Sequence, residues 1–167
     1  MKQKIVSLVL LTILLACTES ENLTQQKSNV MAKEDISFIN PTTLFDPRQN
    51  GFTHIVKIPK GKEHHYFSGQ WASDTNGELV SEDFEKQVRQ TVRNVKSALD
   101  AAGLSLNDVV KQTVFIVDFT LEKKEILIEV ASKEWSVKNF PASTIVPVPL
   151  LATAPKCLIE IEVITAK

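Results

Sequence analysis

The sequence predicts an α+β fold in which two helices pack on one face of a mixed sheet and leave the other face uncovered. Three observations carry this. A stripe of Phe84, Val88, Val92, Val95, Leu99 and Ala102, spaced by three and four residues, marks an amphipathic helix closed by Gly103. The run Thr113-Val-Phe-Ile-Val117 is apolar on both faces, which suits a central strand rather than an exposed ribbon. The C-terminal stretch from Asn139 holds two apolar runs on either side of a proline-punctuated connection, and each reads as a strand.

Length and composition agree with one globular domain: 167 residues with 43% hydrophobic content can bury a sizeable core. A net charge of -1, with no basic stripe on either helix, removes the electrostatic case for nucleic acid as a partner. The N-terminus reads as a targeting signal. Lys2 and Lys4 precede the apolar run 5–16, too short to span a bilayer, and the run ends in Leu14-Leu15-Ala16-Cys17. That ending resembles a bacterial lipobox, in which Cys17 is lipidated; an ordinary signal peptide or an uncleaved anchor is the alternative. Residues 1–17 are therefore expected to be signal and lipobox, the polar residues 18–35 a flexible tether, and 36–167 the folded domain. A lipidated Cys17 makes the protein an exported, membrane-anchored lipoprotein on the periplasmic or cell-envelope side. Cys157 is then the one thiol left, and its place on an apolar strand face suits an inert buried group better than a nucleophile.

Within the domain, a turn-rich lead-in through Asn40-Pro41 and Asp46-Pro47 precedes strands at 53–58 and 65–71, whose short 59–63 connection suggests a hairpin. His64 and His65 are adjacent, so strand geometry points them apart. With His54 distant in sequence no zinc spacing exists, and all three read as solvated loop histidines. Asp74-Thr-Asn-Gly77 is a turn. Ser81 reads as the N-cap of the first helix, followed by Glu82 and Asp83 in its first turn, while Lys86, Gln87, Arg89, Gln90, Arg93, Asn94 and Lys96 form a solvated side. A second helix spans 121–136, with Ile126, Leu127, Val130, Ala131 and Trp135 inward. Strands follow at 142–148 and 157–164. The last puts Glu160 and Glu162 on one face, about 7 Å apart, as surface charges or as a site. The order is strand, strand, helix, strand, helix, strand, strand, and the apolar uncovered sheet face calls for an oligomer.

Several segments carry a resemblance. Phe52-Thr-His-Ile-Val-Lys57, Ser68-Gly69-Gln70, the helix Gln87 to Gly103, Asp108-Val-Val-Lys-Gln-Thr-Val-Phe-Ile-Val-Asp118, Phe140-Pro141-Ala142 and Ile159-Glu-Ile-Glu-Val163 are similar, in register over about 40–166, to the RidA (YjgF) family of reactive-intermediate (enamine/imine) deaminases. The resemblance implies a chorismate-mutase-like fold with a six-stranded mixed sheet and two helices, and a homotrimer with small-molecule clefts between subunits. It also implies hydrolysis of imines to a ketone or 2-oxo acid plus ammonia, without a cofactor or metal. By the same resemblance Glu160 is the catalytic residue that holds water, and Phe52, Ser68, Gly69 and Ser143 line the substrate site. Phe52 stands where a tyrosine is common. Ser143 stands where an arginine grips the substrate carboxylate. Losing that charge partner weakens carboxylate binding by roughly 2 to 5 kcal/mol, which sets against 2-imino acid turnover unless Arg48, Lys138 or Lys156 replaces it. The alternative is a non-catalytic ligand-binding or interaction module on the same scaffold at the cell envelope.

Overall fold

A computed structural model describes residues 34–134 and 139–167. The expected signal, Cys17, most of the tether, Trp135 and Lys138 lie outside the described residues. Asp35–Lys167 form one compact unit. Its elements are β1 (Ser37–Ile39), β2 (Ile55–Lys57), β3 (His64–Trp71), α1 (Phe84–Ala101), β4 (Val109–Val117), α2 (Leu121–Glu134), β5 (Ala142–Val148) and β6 (Ile159–Ala166).

The main sheet runs β3-β6-β4-β5, with β4 parallel to β5 and antiparallel to β6, so it is mixed and β4 is central as expected. The six strands form two sheets, this one of four strands and a separate pair of two, rather than the single six-stranded sheet expected, because β1 and β2 pair only with each other. β2 does not form a hairpin with β3; it pairs with β1, a strand inside the segment read as lead-in, in the register Ser37↔Lys57. The neighbouring backbone explains the choice. The His54 N–H donates to Asn40 Oδ1 at 2.9 Å and the Thr53 N–H to the Pro141 carbonyl at 3.1 Å, which draws this segment toward β1 and the start of β5. β3 takes β6 as its partner instead, and the ladder extends through reciprocal backbone bonds between Glu63 and Lys167 of 2.9 and 3.0 Å.

In α1 the stripe Phe84, Val88, Val92, Val95 and Leu99 is buried, and Gly103 ends the helix in the left-handed region at φ 68°. Ala102 lies exposed at the C-cap rather than in the stripe. The N-cap is Asp83, not Ser81: its carboxylate accepts from the Lys86 N–H at 2.9 Å, while Ser81 Oγ accepts from the Asp83 N–H one step upstream. Gln87 is fully buried rather than solvated. It sits three residues after Phe84, on the margin of the stripe, and donates to the Ser81 and Lys156 carbonyls while accepting from the Leu158 N–H at 2.7 Å. That amide ties α1 to the chain entering β6. Leu127 and Val130 of α2 join the α1 stripe over Val114 and Ile116 of β4 and Ile159, Ile161 and Val163 of β6. Cys157 is buried just before β6 begins.

The histidines are in part what the sequence suggested: His64 is exposed, but it and His65 open β3 rather than a loop, and His65 is half-buried with Nδ1 unpaired; His54 lies in the bend before β2, half-buried and edge-on to Phe45 and Phe52, its Nε2 2.9 Å from the Phe45 carbonyl.

Candidate functional site

The residues singled out in the sequence fall into two groups. The first gathers around Glu160. Between Phe67↔Val163 and Gln70↔Ile161, β3 uses one residue more than β6, so Ser68 and Gly69 form a bulge opposite Glu162. A Cβ built on Gly69 would lie 1.8 Å from Glu160 Oε1 and 2.8 Å from its Cγ. The carboxylate can occupy this position because residue 69 has no side chain. Trp71 on β3 and Phe115 on β4 are the cross-strand neighbours of Glu160, one on each side. Removal from water raises the Glu160 pKa above the ordinary carboxylate value, and the nearby Glu162 charge adds to the rise. Lys111 lies on the same open face. Its Nζ donates to Thr144 Oγ1 at 2.7 Å and to the Gln112 carbonyl at 2.8 Å; burial lowers its pKa, with the attraction of Glu162 acting against that.

The second group surrounds Ser143, on the helix-covered face. Ser143 pairs in register with Gln112, which pairs with Val163, and those two are buried beneath the helices. Gln112 Nε2 donates to Ser143 Oγ at 3.0 Å. Both line a small cavity of about 30 Å³ closed by Asn50, Gly51, Leu127 and Phe140, which is room for a water or one small polar group. Phe52 follows Gly51 but does not line the cavity; its ring lies 5.9 Å from Phe45 and 5.4 Å from His54. Glu160 and Ser143 are two strands and three residues apart, about 14 Å by strand spacing and rise, and they face opposite sides of the sheet. One chain brings Ser68, Gly69 and Glu160 together; it does not bring them to Ser143.

Two of the suggested replacement cations are committed elsewhere. The Arg48 guanidinium grips Asp46 at 2.6 Å and holds that carboxyl well below its usual range, with both groups exposed. Lys156 pairs with Glu82 at a cleft of about 730 Å³ formed by the 149–158 connection. Two buried amides did not stand out from the sequence: Gln112, which was assigned no role, and Gln87, which was expected to be solvated. Gln112 was signalled by being the polar break in the inward set Val110, Gln112, Val114, Ile116. Gln87 sat at helical spacing beside the apolar stripe. Among the described residues no three His, Cys, Asp or Glu side chains cluster closely enough to hold a metal.

Comparison with known proteins places this geometry in a class. The structure of the Rid protein YyfB from Yersinia pestis superposes with a TM-score of 0.74 at 29% identity, over 80% of this chain and all of that one. RidA from the Antarctic bacterium Psychrobacter sp. PAMC 21119 superposes at 0.56 with 34% identity, over 69% of this chain and 87% of the other. The fold is thus the α+β, chorismate-mutase-like fold of the Rid proteins. The family model described as Endoribonuclease L-PSP matches residues 48–167. The RutC family protein PH0854 of Pyrococcus horikoshii is 41% identical over 104 residues, 61% of this chain and 78% of its own length. The 2-iminobutanoate/2-iminopropanoate deaminase of Salmonella typhimurium is 47% identical over 51 residues, 30% of this chain and 40% of its own. The chain belongs to the RidA (YjgF) family.

Proposed function

We propose that this protein is a cofactor-independent hydrolase of imines or enamines in which Glu160 holds and deprotonates the attacking water. The observation that carries the reading is the half-buried Glu160 carboxylate seated on Gly69, flanked in register by Trp71 and Phe115 and raised in pKa by its surroundings. Water bonds to the imine carbon as the C=N π pair moves to nitrogen; Glu160 takes a water proton and passes it to that nitrogen. Glu160 then takes the O–H proton of the carbinolamine and delivers it to nitrogen as the C–N bond breaks, leaving the ketone or 2-oxo acid and ammonia. The deaminase name of the Salmonella relative, and a solved E. coli TdcF with bound serine that shares 30% identity over 66% of this chain, support a small amino-acid-like substrate.

The two groups of residues lie on opposite faces of one chain, so a site using both is completed by a second copy. A homotrimer with the Ser143 side of one subunit against the Glu160 face of the next is the assembly we propose. Tyr66, which is 76% exposed on the open face, fits burial in such a contact. A net charge of -1 and two carboxylates on that face argue against RNA as the substrate. With Cys17 lipidated the enzyme works outside the cytoplasm, and palmitate labelling that disappears in Cys17→Ala checks this.

The Gln112–Ser143 pair favours a second reading, a binding module for a neutral ligand, because an uncharged amide and hydroxyl occupy the place of the arginine. Ammonia release from freshly generated 2-iminopropanoate and 2-iminobutanoate separates the two. Turnover by the wild type that Glu160→Ala abolishes supports the hydrolase. A silent wild type with activity appearing in Ser143→Arg selects the binding module.

A further inference from the structure

We propose that Lys124, bonded to Asn50 beside the Ser143 cavity, binds the carboxylate of the substrate. Lys124 Nζ donates to Asn50 Oδ1 at 3.1 Å, and Asn50 lines the cavity that contains Ser143 and Gln112. Helical spacing places it there independently. Leu127, Ile128 and Ala131 of α2 line the cavity, and Lys124 lies three, four and seven residues before them, on the same face one turn toward the N-terminus. The side chain is half-buried, and among the described residues no carboxylate pairs with it.

Among the described residues, two other cations near this end of the fold are committed. Arg48 is bound to Asp46, and Lys123 donates to the Val117 carbonyl with its ammonium 5.3 Å from the centre of the Phe84 ring. The chemistry of the pocket follows. The cavity admits a small polar head, the Gln112 amide is already bonded to Ser143, and the lining is neutral, so an anion there finds its countercharge in the Lys124 ammonium beside Asn50. A lysine there acts as a point charge without the fork of a guanidinium, so it holds a carboxylate by charge and tolerates more than one orientation. Asn50 keeps the ammonium in place before the substrate arrives and can turn its own amide toward the second carboxylate oxygen.

This inference rests on the hydrolase reading for its substrate, and the test separates the two. Binding of 2-oxobutanoate, and of its uncharged methyl ester, is measured by calorimetry on the full-length wild type and on Lys124→Met, Lys124→Arg and Glu160→Ala. The acid should bind the wild type roughly tenfold or more tighter than the ester, and Lys124→Met should weaken the acid about ten- to a hundredfold while leaving the ester unchanged. Lys124→Arg should keep most of the affinity, and added salt should weaken the acid only where a cation remains at 124. Equal binding of acid and ester by the wild type, no binding of either, or an unchanged affinity in Lys124→Met overturns the proposal. Lys124-dependent binding without imine turnover overturns the hydrolase reading alone; turnover that Lys124→Met leaves intact overturns the role of Lys124 alone.

Discussion

Replacing Gly69 by alanine puts a methyl carbon where Glu160 Oε1 now lies, at 1.8 Å, so the carboxylate must move. The far end of a glutamate can swing aside without unfolding the sheet. The expected result is a folded protein by circular dichroism whose imine hydrolysis falls about a hundredfold, the usual penalty for misplacing a reacting group by an ångström. Glu160 also carries a pH signature. Its folded pKa is raised, so the native state holds the proton more tightly than the unfolded chain, whose ordinary value is 4.5. Its favourable contribution is therefore complete below 4.5 and is lost as pH rises through the folded pKa, leaving the ionised group destabilising at neutral pH. Glu160→Gln should then be more stable than the wild type at pH 7, with the gap closing as pH falls toward 4, when urea midpoints are compared across that range. The same substitution should remove activity.

At the scale of elements, α1 is fixed to the chain entering β6 by one buried amide. Gln87→Ala leaves the Leu158 N–H and the Ser81 and Lys156 carbonyls without that partner, and urea denaturation should show a loss of about 2 to 4 kcal/mol. Asp83→Ala removes the cap on the Lys86 N–H and should cost about 1 kcal/mol by the same measurement, whereas Ser81→Ala should cost less. These elements also show what local pattern conveys. The α1 stripe, the central β4 and the bounds of β5 were all legible, because each follows from spacing along one segment. The partner of β2 was not. A short connection permits a hairpin, but the Asn40 and Pro141 contacts that send β2 to β1 come from residues distant in the sequence.

For the whole molecule, the trimer proposed above predicts that activity depends on assembly, since Glu160 and Ser143 lie apart in one chain. Ile164→Asp, on the open face beside Tyr66 and Lys111, should yield a folded monomer by sedimentation velocity that hydrolyses no imine, while the wild type sediments as a trimer. A monomeric variant that keeps full turnover shows that the site lies within one chain.

The α+β class, the two helices, the apolar and polar faces of β6 and the family were written in periodicity and motif spacing, which are local properties of the chain. Only the tertiary structure decided how the site residues are grouped. Strand alternation put Glu160 and Ser143 on opposite faces once the register of β4 with both its neighbours was set. The bulge at Ser68 and Gly69 brought a glycine under a carboxylate ninety-odd residues away in the chain, and the packing of α2 against the 48–51 turn set Lys124 beside Asn50. Those contacts join segments far apart in sequence, where no local pattern records them.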